Sequence, residues 1–171
     1  SQDKARVLFS LGLVSSRQGR VQDAMDYFAQ TEKLVGEHPA IHYARGQVHQ
    51  RTFHNEDAVK WYAKAAALQS DDRIYRQLAI SSGSIMNAKD ALEAAHKGLE
   101  IEPRDPHLLR SQMLALRKLE ASGPVKEAAK AAFMSFKRDE ESAAIRDKCT
   151  DASDVCRRER LPIPVFKLRD K

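Results

Sequence analysis

The sequence predicts an all-α protein: a right-handed α-solenoid of about four helix pairs with a C-terminal capping helix and an extended tail. Three observations predict it. Leu8-Leu11-Gly12…Ala24…Phe28 recurs as His42-Arg45-Gly46…Ala58…Tyr62. It returns as Tyr75-Leu78-Ala79…Ala91…Ala95, closing on Pro103, at a spacing of 33 to 34 residues. Each copy places a small residue on its first helix and an alanine twelve positions later on its second, as two closely crossed helices require. A single helix pair cannot bury its apolar stripe, so copies must stack to share a core.

The elements follow in order. In the first pair, helix A runs from about Asp3 to Arg17, with Val7, Leu8, Leu11 and Val14 at helical spacing. Gly19 ends it in the conformation a helix C-terminus favours. Helix B runs from about Val21 to Leu34, with Ala24, Met25, Phe28 and Thr31 facing inward. His38-Pro39 opens the second pair, since proline suits the first helical turn. Its helices span about 39–51 and 55–68, with Asn55 as N-cap and Glu56-Asp57 at the favourable end of the helix dipole. Ala58 is placed at the crossing. Asp71 or Asp72 caps the third pair, about 72–83 and 87–101, where Gly83 takes the part of Gly19 and Asn87 that of Asn55.

The fourth pair is degenerate. Asp105-Pro106 is a cap followed by a first turn, and Leu108, Leu109, Met113, Leu116 and Leu119 continue the apolar stripe. Gly123-Pro124 separates it from a helix whose inward face is Val125, Ala128, Ala129, Ala132, Phe133 and Phe136. Asp139 caps a further helix, the solubilising end that a solenoid requires. The expected organisation is repeats at 5–37, 38–71, 72–104 and 105–138, a cap helix at 139–148, and a tail at 149–171. Pro162 and Pro164 keep the tail out of a helix, and alternation from Val165 to Arg169 marks it as extended. Leu161, Ile163, Val165 and Phe166 are expected to dock it onto the final helices or onto a partner.

The repeated positions resemble the tetratricopeptide repeat (TPR) family. In that family the first helix of each repeat lines a concave groove that meets the ligand. The resemblance implies partner contacts at Arg6, Phe9, Leu13 and Arg17 in the first repeat. It implies Tyr43, Gln47, Gln50 and Arg51 in the second, and Arg73, Arg76 and Ile80 in the third. Phe9, Tyr43, Arg73 and Arg76 are expected to be at least partly exposed on that surface. The family's carboxylate-gripping groove needs a lysine and asparagines on the first two repeats. Phe9 and Leu13 stand at the first of those places and disfavour that specificity. What remains is an apolar-aromatic floor with arginines around it, suited to a segment carrying acidic and apolar side chains.

Composition narrows the function. Apolar residues make up 42% and charged residues 31%, and no apolar run approaches the ~20 residues that span a bilayer, so membrane insertion is not expected. The net charge of +5 arises beyond residue 103. Most of it lies in Arg157, Arg158, Arg160, Lys167, Arg169 and Lys171 against Glu159 and Asp170. A nucleic-acid protein spreads its basic residues along a face, and this repeat body is balanced, so nucleic acid is not an expected partner. The chain begins at Ser1 without methionine or a charged-then-apolar leader, which fits a processed product or the TPR portion of a larger protein.

Chemistry-bearing residues are few. Cys149 and Cys156 flank the helix-to-tail junction and are either a disulfide, worth ~2–3 kcal/mol in an oxidising compartment, or two reduced thiols. The pair leans the localisation toward the periplasm or the outside of the cell, and otherwise toward the cytoplasm. His42 and His49 share one helical face, but zinc needs three or four converging ligands. They read as packing histidines, and no metal or other cofactor is expected. No glycine-rich phosphate loop or nucleophile elbow occurs, and the carboxylate clusters sit at helix starts, so no enzyme is expected.

The function expected is a non-catalytic protein–protein interaction scaffold that binds a partner segment along the concave face. The alternative is a structural or accessory subunit that self-associates or docks on a larger assembly. The Cys-x6-Cys followed by Arg-Glu-Arg-Leu-Pro-Ile-Pro-Val is similar to the tail of TPR segments fused to exported bacterial multihaem cytochromes.

Overall fold

A computed structural model of the chain describes residues 2–119. The described residues contain seven α-helices and no strand: α1 Gln2–Arg17, α2 Val21–Val35, α3 Pro39–Arg51, α4 Asn55–Leu68, α5 Asp72–Ser84, α6 Ala88–Ile101 and α7 Pro106–Lys118. They match the helices read from the sequence to within a residue or two. The second helix of the fourth pair, the cap helix, both cysteines and the tail with Leu161, Ile163, Val165 and Phe166 lie outside the described residues. The chain divides between Gln69 and Ser70 into two compact units, one holding α1–α4 and the other α5–α7.

In the first unit α1 packs on α2, α3 on α4, and α2 on α3. Its core is made of small residues around a few large ones: Ala5, Phe9, Ala24, Phe28, Ile41, Ala44 and Val48. Phe28 is fully buried, which contributes roughly 1.5–3 kcal/mol. Its ring lies against the backbone of α1 at Gly12, where a Cβ would come within 2.5 Å of it. Tyr62 does the same at Gly46, at 2.6 Å. Ala24 and Ala58 are fully buried beside these crossings, as expected of them.

The buried face of α1 is not the one with the most apolar residues. Ala5, Phe9, Gly12 and Ser15 face α2, while Val7, Leu11 and Val14 are exposed. Close crossing selects for small side chains more strongly than for greasy ones, so hydrophobicity alone pointed to the wrong stripe.

In the second unit α5 packs on α6, and α7 packs on both. Ala79, Ala94, Ala95 and Leu108 form its core. The aromatic seen in the first two pairs is replaced here by Ala95, and the glycine opposite by Ala79. Leu108 instead lies on Gly98, where a Cβ would come within 2.6 Å of it.

Helix starts obey local chemistry. Asp71 accepts from the backbone N–H of Arg73 at 2.9 Å, Asn87 from that of Asp90 at 3.2 Å, and Asp105 from those of His107 and Leu108 at 2.8 and 3.0 Å. His38 also caps, its Nδ1 accepting from Ala40 N–H at 3.2 Å. Asn55 is the first helical residue of α4 and not its cap. That place belongs to His54, whose side chain makes no capping bond.

Each A-to-B turn closes the same way. Arg20, His54 and Asn87 donate their backbone N–H groups five residues back, to Ser15, His49 and Ser82 carbonyls at 2.9, 2.9 and 3.0 Å. This helix ending needs one residue in the left-handed region. Gly19 supplies it in the first pair at φ 76°, Phe53 in the second at 62°, and Met86 in the third at 66°. Gly83 is therefore not the counterpart of Gly19; it lies inside α5, and the repeat register places Met86 at the turn. A bulky residue there is strained by about 1–2 kcal/mol. Phe53 is 88% exposed, so its ring gives little back through packing. Phe53→Gly is expected to raise stability by up to about 1 kcal/mol in a urea titration, and a loss of stability would show that the ring is anchored.

Candidate functional site

The helix A positions assigned to partner contact split into an outward group and a structural group. In the first unit Arg6 and Arg17 are exposed and Leu13 and Gln47 half-buried. Arg51 is exposed, with Nη2 donating to the Arg17 carbonyl at 3.3 Å and Nη1 to Ser16 Oγ at 3.5 Å. Gln50 is half-buried and its Oε1 accepts the Tyr62 hydroxyl at 2.8 Å. Phe9 and Tyr43 are only 4% and 3% exposed. Their expected exposure is corrected, because each ring packs on the aromatic of its own pair. Phe9 meets Phe28 with centroids 5.7 Å apart, and Tyr43 meets Tyr62 at 5.5 Å. Burial, with Tyr43 beside it, also pushes the Tyr62 phenol well above its usual range.

In the second unit Arg73 and Arg76 are half-buried and engaged. Arg73 reaches Asp71 through Nη2 at 2.7 Å and Nε at 3.0 Å. Burial raises the Asp71 carboxyl, but the bonds from Arg73 and the helix N-terminus outweigh it and hold the carboxyl below its usual range. Arg76 joins two helix starts, pairing with Asp105 and lying 3.7 Å from Asp72 Oδ2. Ile80 is half-buried on a groove of about 740 Å³ between α5 and α7. Ile80, Leu114 and Ala115 make the floor of this groove, and Arg110, Arg117 and Lys118 carry positive charge around it.

A second concavity, of about 570 Å³, lies in the first unit where α2, α3 and α4 meet. Arg45 Nη1 donates to Glu32 Oε2 at 2.8 Å, and its guanidinium lies 4.7 Å from the Trp61 ring centroid. Lys64 Nζ lies 4.6 Å from that centroid. His42, 2% exposed, stacks on Trp61 with ring centroids 5.5 Å apart. Burial holds its imidazole below the ordinary histidine range; Glu32 and Glu37 pull the other way, and Arg45 and Lys64 reinforce burial. Sequence reasoning placed His42 at a core position and saw nothing around it. Its neighbours come from two other helices and a loop, at separations that no periodicity reports. An imidazole at a register position otherwise apolar was the signal.

No family model and no curated protein sequence matches the chain. Solved structures do. The chain is 20% identical to a protein in "Crystal structure of MamA", covering 82% of this chain and 80% of that one with a TM-score of 0.69. It is 18% identical to the MamA RS-1 ArsTM double mutant, covering 84% and 79% with a TM-score of 0.70. It is 19% identical to the MamA 41-end protein from Desulfovibrio magneticus RS-1, covering 79% and 75% with a TM-score of 0.66. The fold is thus the all-α TPR-like helical repeat that MamA also has.

The Asp105–Arg76 pair also explains why Arg76 is a poor candidate for a freely available partner contact. Arg76→Ala removes an ion pair to buried Asp105. It is expected to cost about 1–3 kcal/mol of stability by chemical denaturation. A variant as stable as the parent would show that the arginine is held for binding instead.

Proposed function

We propose that the chain is a non-catalytic interaction scaffold whose helix A face receives a segment of a partner protein bearing acidic and apolar side chains. The groove between α5 and α7 carries this reading, because it combines an apolar floor at Ile80 and Leu114 with the positive charge of Arg110, Arg117 and Lys118. An apolar side chain of the partner leaves water on the floor, and carboxylates beside it meet guanidinium groups that bind them in a forked geometry. In the first unit Arg6, Leu13, Arg17, Gln47 and Arg51 offer the same mixture. The TPR-like fold supports a binding role in general, since stacked helix pairs present long surfaces without chemistry of their own.

The test is a peptide-display selection on the full chain, followed by fluorescence anisotropy with a selected peptide. Selected sequences are expected to combine Asp or Glu with large apolar residues. Arg110→Glu or Ile80→Ser is expected to weaken binding at least ~10-fold, about 1.4 kcal/mol. A selection without acidic enrichment, or affinity untouched by both substitutions, would refute the reading.

A further inference from the structure

We propose that Glu32, Glu37 and His42 form a binding site for a divalent first-row transition ion of the Zn²⁺ and Ni²⁺ type. His42 lies on α3, Glu32 in the last turn of α2, and Glu37 in the loop between them. One ligand atom from each residue lies within 4.8 Å of those of the other two.

The imidazole gives the first reason. It is 2% exposed, and its Nδ1 has no hydrogen-bond partner. A buried nitrogen left this way calls for a specific explanation, and an ion is one. The carboxylates give the second. Glu32 Oε1 stands 4.0 Å from Nδ1, and Glu37 Oε1 stands 3.9 Å from Nε2. Both separations are too long for hydrogen bonds. An ion takes one ring nitrogen, so it would sit on the unpartnered Nδ1 beside Glu32, and bonds of about 2.0–2.2 Å draw the ligand atoms in from this spacing to roughly 3–3.5 Å.

The surroundings sharpen the site. Arg45 holds Oε2 of Glu32 at 2.8 Å, which turns Oε1 toward the histidine. Arg45 is thus a positioning residue and not a ligand. The Glu37 side chain is 70% exposed beside Gly36, so it can swing toward the ion at little cost. Its exposure also leaves room for water to complete the coordination sphere. One imidazole and two carboxylates suit a borderline ion better than Ca²⁺ or Mg²⁺, which prefer oxygen alone. Arg45 and Lys64 oppose the cation, while the two carboxylates offset them. Counting histidines along one helix could not find this site, because its other two ligands are glutamates from outside that helix.

Trp61 makes the proposal testable. It is the chain's single tryptophan and stacks on His42. Full-length, chelator-treated, reduced protein is titrated with NiCl₂ at neutral pH while Trp61 fluorescence is read. The expected result is saturable quenching with one ion per chain, reversed by ZnCl₂ in competition. Glu37→Gln, a surface change that leaves the fold intact, is expected to weaken it at least ~10-fold. His42→Leu is expected to abolish it. His54→Ala, which removes a histidine outside the site, is expected to leave it unchanged. No quenching overturns the proposal. So does quenching that survives Glu37→Gln or is lost in His54→Ala, which would place the ion on other side chains.

Discussion

Two glycines and the rings that lie on them set the geometry of the first unit. At Gly12 and Gly46 helix A has no side chain, and Phe28 and Tyr62 of helix B occupy the space where one would be. The helices of a pair therefore approach closely over a narrow strip, which is why fully buried Ala24 and Ala58 sit beside the same crossings. The third pair meets the constraint differently, with Ala79 and Ala95 trading a smaller ring partner for a slightly larger floor. The two alanines together are smaller than a glycine and an aromatic ring, and Leu108 of α7 packs beside them on Gly98.

Much else follows from that strip. Because Tyr62 is buried against Gly46, its hydroxyl is delivered to Gln50 near the end of α3. Tyr43 is drawn onto the same ring and away from solvent. The crossing leaves Trp61, one residue earlier on α4, on the flank of the pair. There it collects His42, Arg45 and Lys64 around its faces. Structural packing and the polar concavity at Glu32 are thus two sides of one helix register.

The repeat was legible because its spacing, small residues and proline-bearing helix starts are all local in sequence. Helix limits and most caps could be read for the same reason. Other features were not local. The turn residue Met86 could be found only by carrying Gly19 forward in exact register, since methionine itself signals no left-handed backbone. The buried face of α1 was misread because Val7, Leu11 and Val14 outweigh Ala5, Gly12 and Ser15 in hydrophobicity but not in fit. Phe9 and Tyr43 were assigned to the surface by family position, whereas the rings of their own pairs bury them. At the candidate concavities Ile80 could be named from the sequence, but Leu114 and Arg110 join it from α7, and Glu32 and Glu37 join His42 from α2 and the loop after it.

A double-mutant cycle on Gly46→Ala and Tyr62→Ala, read by urea denaturation, tests the crossing most directly. Alanine is favoured over glycine inside a helix by up to about 1 kcal/mol, so Gly46→Ala stabilises any helix in which nothing opposes the new methyl. If the Tyr62 ring occupies that space, Gly46→Ala destabilises the parent by about 1–3 kcal/mol. In the Tyr62→Ala background the same change then becomes neutral or stabilising, a coupling of at least ~1 kcal/mol. Equal effects of Gly46→Ala in both backgrounds would contradict the account, because the glycine would not be there for the ring.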